Sequence, residues 1–547
     1  MTLGWYALPC EIRLMILKLL SDDGSKTCAY ASVNAEWQDF FEARNFHRLI
    51  LRPSCISKFN QIVYPERRRL VKHIWLRFET PPYSCSHYKK NQTREEEARA
   101  NRRFTRAIWS LLGALSSWEV GDGGLVLELS VHSPSDRYHY FPDYRIDKGI
   151  YPHAQDEKCT YREYAALVPC TTLPQSASER RRHHRHGWLN GVRISEPEGH
   201  SAERVFSNQM ELDFSGFREG ANKELSSVSV VKGLLIRRQY FRAFDPVALG
   251  RILQSLPGVE ILTLEIWREI SPLLESNYQM DLTELLGRVK PLKSLAIFED
   301  CNSLFNRYER PKLSPILGWM LAVMSHSITQ LSVAFVANAE DFFRPFYFKQ
   351  STHISSLSPE TIFFLTSLFG LYNLKSFAEE ALGTDQRASG NAAPSPFYEP
   401  EWPNLESLIL TSQLLQPSKF KNKINAMLLN AANAAMRMPK LRAMEIWNGK
   451  KGAAFIFTYL RYGVNQWPTI YITSTWQFEL KITVFDAWER VAEKHMNRGL
   501  VMRMQRLDGG AITSYGSVVG LLKLRQQVLH PVSLCQLKWE TNKLATS

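Results

Sequence analysis

His183, His184 and His186 form the densest group of candidate metal ligands in the chain, and imidazoles this close could gather around a divalent cation. They sit inside Arg180-Arg181-Arg182-His183-His184-Arg185-His186, where four guanidinium groups repel any cation. The run fits a solvated loop better than a metal site, with nuclear import or contact with an acidic partner as its functional readings. Other chemistry is as thinly supplied. The sequence holds no GxxxxGK[ST] phosphate loop, no GxGxxG turn, no GxSxG nucleophile elbow, and no HExxH or CxxC…CxxC spacing. No catalytic residue, cofactor or metal site is therefore assigned, and a non-catalytic role is expected. Trp267 and Trp447 could anchor a ligand, but packing against neighbouring elements is the simpler use of an indole at those places.

The elements that carry these residues belong to a long, ordinary composition: 547 residues, 44% hydrophobic and 22% charged, enough for two or three cores. Sixty-seven basic against 54 acidic residues give +13, which over this length is too diffuse to favour nucleic acid as a partner. Eight isolated cysteines with no secretory leader before them point to reduced thiols in the cytoplasm or nucleus. Apolar runs such as 318–324 fall well short of the roughly 18 to 20 residues that cross a bilayer, so no membrane is expected.

The sharpest local signal is N-terminal. Leu8-Pro9-Cys10-Glu11-Ile12 places a proline where a first helical turn needs no donor, and an acid where the helix dipole favours it. Ile12, Leu14, Met15, Ile16, Leu17, Leu19 and Leu20 then make the helix apolar around most of its circumference, so more than one face needs cover. After Ser21-Asp22-Asp23-Gly24-Ser25, a second helix carries Ala29, Val33 and Trp37 at four-residue spacing, then Phe40 and Phe41. A unit of about 45 residues buries too little surface to hide so many apolar side chains, which predicts a docking face.

Leu8-Pro9-x-Glu11-Ile12-x-x-x-Ile16-Leu17, followed by Ala31-Ser32-Val33-x-x-x-Trp37, resembles the F-box in order and spacing, here with serine preceding valine. The resemblance covers roughly residues 5 to 50 and is similar to F-boxes that open long proteins of filamentous fungi. It implies that Leu8, Pro9, Ile12, Ile16 and Leu17 face a Skp-type linker, with Val33 and Trp37 completing the interface or the small core behind it. Through the linker it implies a cullin and a ubiquitin-conjugating enzyme as further partners.

Beyond residue 52 helix and strand alternate. Val71 to Phe78 reads as a strand after the basic run Arg67-Arg68-Arg69, expected to be a solvated loop; Thr93 with Glu96 reads as a capping box opening a helix lined by Phe104, Ile108, Leu111, Leu112 and Leu115; residues 125–131 read as a strand. From about 245 to 450 a helix-strand unit recurs. Its strand motif appears as Val259-x-x-Leu262-x-Leu264, Leu292-x-x-Leu295-x-Ile297, Ile328-x-x-Leu331-x-Val333, Leu374-x-x-Phe377, Leu405-x-x-Leu408-x-Leu410 and Leu441-x-x-Met444-x-Ile446. Successive units are offset by 33, 36, 46, 31 and 36 residues, longer than standard leucine-rich repeats, and the asparagine ladder of those repeats is missing. The expected fold class is α/β (α+β overall): a helical F-box over 1–52, a curved leucine-rich-repeat-like domain over 53–452, and a mixed α/β cap over 453–547. A closed α/β domain with a mostly parallel sheet is the alternative. Residues 133–227 read as a loop-rich insertion and 383–403 as a disordered loop. The cap is similar to an uncharacterised C-terminal domain found with fungal F-boxes.

The resulting functional expectation is a substrate adaptor of a Skp-cullin-F-box ubiquitin ligase, tethering an unknown protein client near the transferred ubiquitin. The competing readings are an F-box protein acting with the linker outside a ligase, and a nucleic-acid scaffold driven by Arg180 to Arg185.

Overall fold

The computed structural model describes residues 4–22, 27–84, 86–119, 124–136, 200–217, 223–238, 240–268, 292–301, 315–344, 400–417, 421–461, 466–534 and 536–537. Short pieces at 188–189, 192–193, 277–279, 281–282, 285–286, 346–347 and 397–398 are also described. The chain divides into two compact units: Met1–Leu274 with Asp300–Arg307, and Glu275–Glu299 with Tyr308–Ser547. It is mixed α/β, and its strand pairing is mostly parallel.

Unit 1 opens with a helical region, α1 (Cys10–Asp22), α2 (Thr27–Tyr30) and α3 (Ala35–His47), which runs directly into β1 (Arg48–Leu51). Then come β2 (His73–Glu79), α4 (Arg94–Leu115), β3 (Leu125–His132), β4 (Val231–Ile236), α5 (Pro246–Gln254) and β5 (Ile261–Trp267). Each of these strands pairs in parallel with the next in sequence order. Parallel strands in sequence order need a crossover at every step; α4 supplies the one between β2 and β3, and α5 the one between β4 and β5.

The chemistry of α4 explains its place. Thr93 Oγ1 accepts from Glu96 N and the Glu96 carboxylate accepts from Thr93 N, closing the expected capping box. Phe104, Ile108, Leu111, Leu112 and Leu115 follow at helical spacing and are all buried, with Phe104 edge-on to Phe78 of β2 at 5.5 Å. Strand alternation puts Ile74, Leu76 and Phe78 on that side, and His73, Trp75 and Arg77 on the other. Pro257-Gly258 carries the chain from α5 to β5, and glycine is required there because a Cβ would lie 2.3 Å from the Ser229 carbonyl oxygen.

In unit 2, β6 (Ser294–Asp300), β7 (Gln330–Asn338), β8 (Ser407–Thr411) and β9 (Ala443–Lys450) are parallel in sequence order, with α6 (Pro315–Met324) and α7 (Lys421–Ala435) between them. Each described repeat motif forms a strand that begins two residues after its first apolar position. β10 (Ala453–Leu460) and β11 (Thr469–Ser474) continue antiparallel, and β12 (Val501–Arg506) closes the order parallel to β11 after α8 (Ile482–Met496). The C-terminal segment, including α9 (Tyr515–Val519) and α10 (Arg525–Val528), packs Val518, Val519, Leu522, Val528 and Leu529 against Phe335, Ile409 and Trp447.

Several expectations change. β9 and β10 form one hairpin through Lys451-Gly452, with Gly452 at φ 76°, so the sheet runs on across the expected boundary at 452. Arg67 is no solvated loop residue: it donates twice to Glu42, at 2.5 and 3.1 Å, and lies over the rings of Phe46 and Tyr64. Within the expected insertion, Ser201–Phe206 is a helix with Arg204, Val205 and Phe206 buried. At the end of the segment expected to be disordered, Trp402 is buried, donates to Ser325 Oγ at 2.8 Å and stacks on Phe342. Local composition read these stretches as loops because one buried aromatic or arginine carries little weight in a polar window. The Arg180–His186 run, Leu374-x-x-Phe377 and residues 137–187 lie outside the described residues.

Candidate protein-docking surface

The N-terminal helical region is positioned by a small aromatic and ionic core. Arg13 N donates to Pro9 O at 3.1 Å, so α1 begins at the expected proline. Asn34 caps α3 by accepting from Trp37 N at 3.0 Å, which fixes where Trp37 and Phe41 turn inward. Trp37 lies 5.2 Å from Trp5 and 5.9 Å from both Tyr30 and Phe41, ring centre to ring centre. Glu36 accepts from Trp5 Nε1 at 2.7 Å and from Arg13 Nε at 3.0 Å, tying α1 to α3. The Trp5 bond first, then the Arg13 bond, hold the Glu36 carboxyl below its ordinary pKa.

This core consumes only part of α1. Leu17 is fully buried, and Leu8, Ile16 and Trp37 are half-buried. Pro9 is exposed, Ile12 is 42% exposed and Val33 56%. Leu17 thus corrects the expectation for it: its side chain is inside the hairpin and cannot face a partner. Four residues that the resemblance leaves unassigned are exposed instead, with Tyr6 and Leu19 each 69% exposed, Met15 58% and Leu14 39%. Ile12, Met15 and Leu19 stand at i, i+3 and i+7, forming one apolar stripe along α1. Because apolar residues lie around most of the circumference of α1, hydrophobicity could not separate the inward side from the outward one; the three-seven spacing of this stripe was the signal available.

A second cluster of functional-looking side chains lies on the sheet of unit 1, on the side opposite Ile74 and Leu76. Glu128 accepts from Arg237 Nε at 2.6 Å and meets His73 Nε2 at 3.0 Å, while the Arg237 guanidinium lies over Trp75. Arg238 pairs with Asp300, and Arg242 holds both oxygens of Asp136, at 3.1 and 3.0 Å. Burial alone would raise Asp136, but Arg242 overrides it and keeps the carboxyl below its usual range. His132 is also lowered, to about 3, by burial and by Arg77, even with Glu79 Oε1 3.7 Å away. These charges close on one another as ion pairs, an arrangement that ties neighbouring strands and loops together.

Trp267 donates to Arg238 O at 2.8 Å and packs on Phe241, and Trp447 is fully buried against Phe335, so both indoles serve packing. Among the described residues no group of three His, Cys, Asp or Glu is placed to hold a metal ion, and no helix is long and apolar enough to cross a membrane.

Comparison with known proteins adds one finding: residues 288–530 are similar to a family described as a family of unknown function (DUF6546). No curated protein matches the chain, and no solved structure does. The matched stretch lies almost wholly within unit 2, leaving the apolar stripe of α1 outside it.

Proposed function

We propose that this chain is a non-catalytic adaptor: its N-terminal helices dock on a Skp-type linker, and through the linker on a cullin, while the α/β region holds a protein client for ubiquitin transfer. The observation that carries the reading is the exposed stripe Ile12, Met15 and Leu19 on α1, with Tyr6, Leu14 and Val33 exposed elsewhere in the same helical region. A monomeric surface rarely keeps such side chains together without a partner. At roughly 1 kcal/mol for each half-exposed side chain covered, the three stripe residues contribute about 3 kcal/mol. A micromolar complex needs about 8 kcal/mol. The linker must therefore also reach Leu8, Pro9 and Ile16, as the F-box resemblance implies.

The parallel strands in sequence order, each joined to the next by a crossover, support an irregular leucine-rich-repeat-like array as the client-holding part. An array of that kind presents strand ends and edges that vary without disturbing its core.

The test is co-purification of the full chain with a Skp-type linker, comparing wild type with the double variant Met15→Asp, Leu19→Asp. Wild type is expected to form a one-to-one complex that the variant loses by tenfold or more, with circular dichroism unchanged. Failure of the wild type to bind sinks the reading. Ubiquitylation of a bound client by the reconstituted complex then separates a ligase adaptor from a linker-bound protein acting elsewhere.

A further inference from the structure

Among the described residues β12, the last strand of unit 2, pairs along one edge only, and five of its six residues, Met502 to Arg506, are exposed. That exposure is unusual for this molecule, whose other long strands are largely buried. Exposed strand edges are normally short or covered because they template pairing with another chain.

The hydrogen-bonding direction follows from the two ends of the strand. Val501 N donates to Pro468 O at 2.9 Å and Leu507 N donates to Ser474 O at 2.8 Å, so odd-numbered residues turn their amides toward β11. With a period of two, Met502, Met504 and Arg506 turn theirs outward.

The side chains divide in the same way. Met502 and Met504 pair in register with Ile470 and Ile472, extending the side of the sheet on which Tyr459 meets Trp488 of α8. Beside Met502 is a recess of about 620 Å³, lined by Met502 with Ile482, Phe485, Lys481 and Glu479, and Ile482 is 70% exposed. Arg503 stands on the opposite face. Residues 498–508 hold three arginines, Arg498, Arg503 and Arg506, and a single carboxylate, Asp508, which accepts from Gly510 N at 2.9 Å.

We propose that β12 is a strand-addition site for an extended, acidic segment of another protein. Its backbone pairs with Met502, Met504 and Arg506, one face of alternating apolar side chains covers the methionines and enters the recess, and the acidic face meets Arg503. The arginines disfavour edge-to-edge pairing of two copies of this chain, since like charges would lie across the new ladder. The site is independent of linker docking and holds whether or not α1 binds a partner.

The experiment uses the full chain and a blocked eight-residue peptide alternating Glu with Val, labelled for fluorescence anisotropy. Wild type is expected to bind it with an affinity that falls with salt, and to bind a Lys-Val peptide at least tenfold more weakly. Met504→Pro removes an outward donor at a position where an edge strand tolerates proline, and is expected to lose tenfold or more. Should that variant show an altered denaturation midpoint, Arg503→Glu and a peptide N-methylated along one edge make the same comparison; each is expected to weaken binding, and Arg503→Glu to improve the Lys-Val peptide. Equal binding of the acidic and basic peptides, no loss with the N-methylated peptide, or a concentration-dependent homodimer through β12 would overturn the proposal.

Discussion

Leu17 and Met15 are two residues apart on the same helix, yet one is fully buried and the other 58% exposed. Leu17→Ala removes atoms from a sealed site and is expected to cost about 2 to 4 kcal/mol in local stability, read as early unfolding of the N-terminal region by amide exchange. Met15→Asp touches no core and should leave stability within about 0.5 kcal/mol of wild type while weakening the docking face. His132 gives a prediction of the opposite kind. Its folded-state pKa is depressed to about 3, so the unfolded chain binds a proton near pH 6.5 that the folded chain refuses. The stability it contributes is complete above pH 6.5 and is lost as pH falls, by roughly 2 kcal/mol at pH 5. His47, depressed to about 4 chiefly by burial and then by Arg48, acts with the same sign. Urea denaturation of His132→Gln should therefore show a shallower loss between pH 7 and pH 5 than wild type.

The elements show how a buried charge joins two distant parts of unit 2. Glu445 of β9 accepts from Lys523 N and Leu524 N, each at 3.0 Å, and from Thr458 Oγ1 at 3.1 Å. Burial raises its pKa against these donors, so the carboxylate is held in place by the segment it anchors. Glu445→Ala strands two backbone donors and is expected to cost about 2 to 4 kcal/mol. Limited proteolysis should detect this as cutting between residues 514 and 537 that wild type resists, with Glu445→Gln intermediate because one acceptor remains. At the same scale, Gly258→Ala sets a Cβ against the Ser229 carbonyl and should lower the denaturation midpoint of unit 1 without altering linker binding.

For the whole molecule, what was legible in the residues was the alternation: Leu262-x-Leu264, Leu331-x-Val333, Leu408-x-Leu410 and Met444-x-Ile446 each mark a parallel strand. Period-two apolar runs announce themselves because both neighbours of a central strand demand them. The order of those strands, and the fact that the C-terminal segment packs its apolar residues on Trp447 and Phe335, were not legible, since both depend on contacts far apart in sequence. The apolar excess of the N-terminal helices was legible, and which of its side chains face outward was not. Leu17 satisfies the motif from inside the hairpin, while Met15 and Leu19, which the motif leaves open, face outward. The charged cluster of Glu128, Arg237 and His73 gave no local signal because its members, two on strands and one just past the end of β4, are separated by up to 164 positions.

The adaptor account rests on what covers α1. Amide hydrogen exchange of the full chain, with and without an equimolar Skp-type linker, addresses this directly. The account predicts slowed exchange over residues 8–20 and 29–37 when the linker is present, with β2 to β5 unchanged. Identical exchange across those two stretches, or protection confined to unit 2, would contradict it.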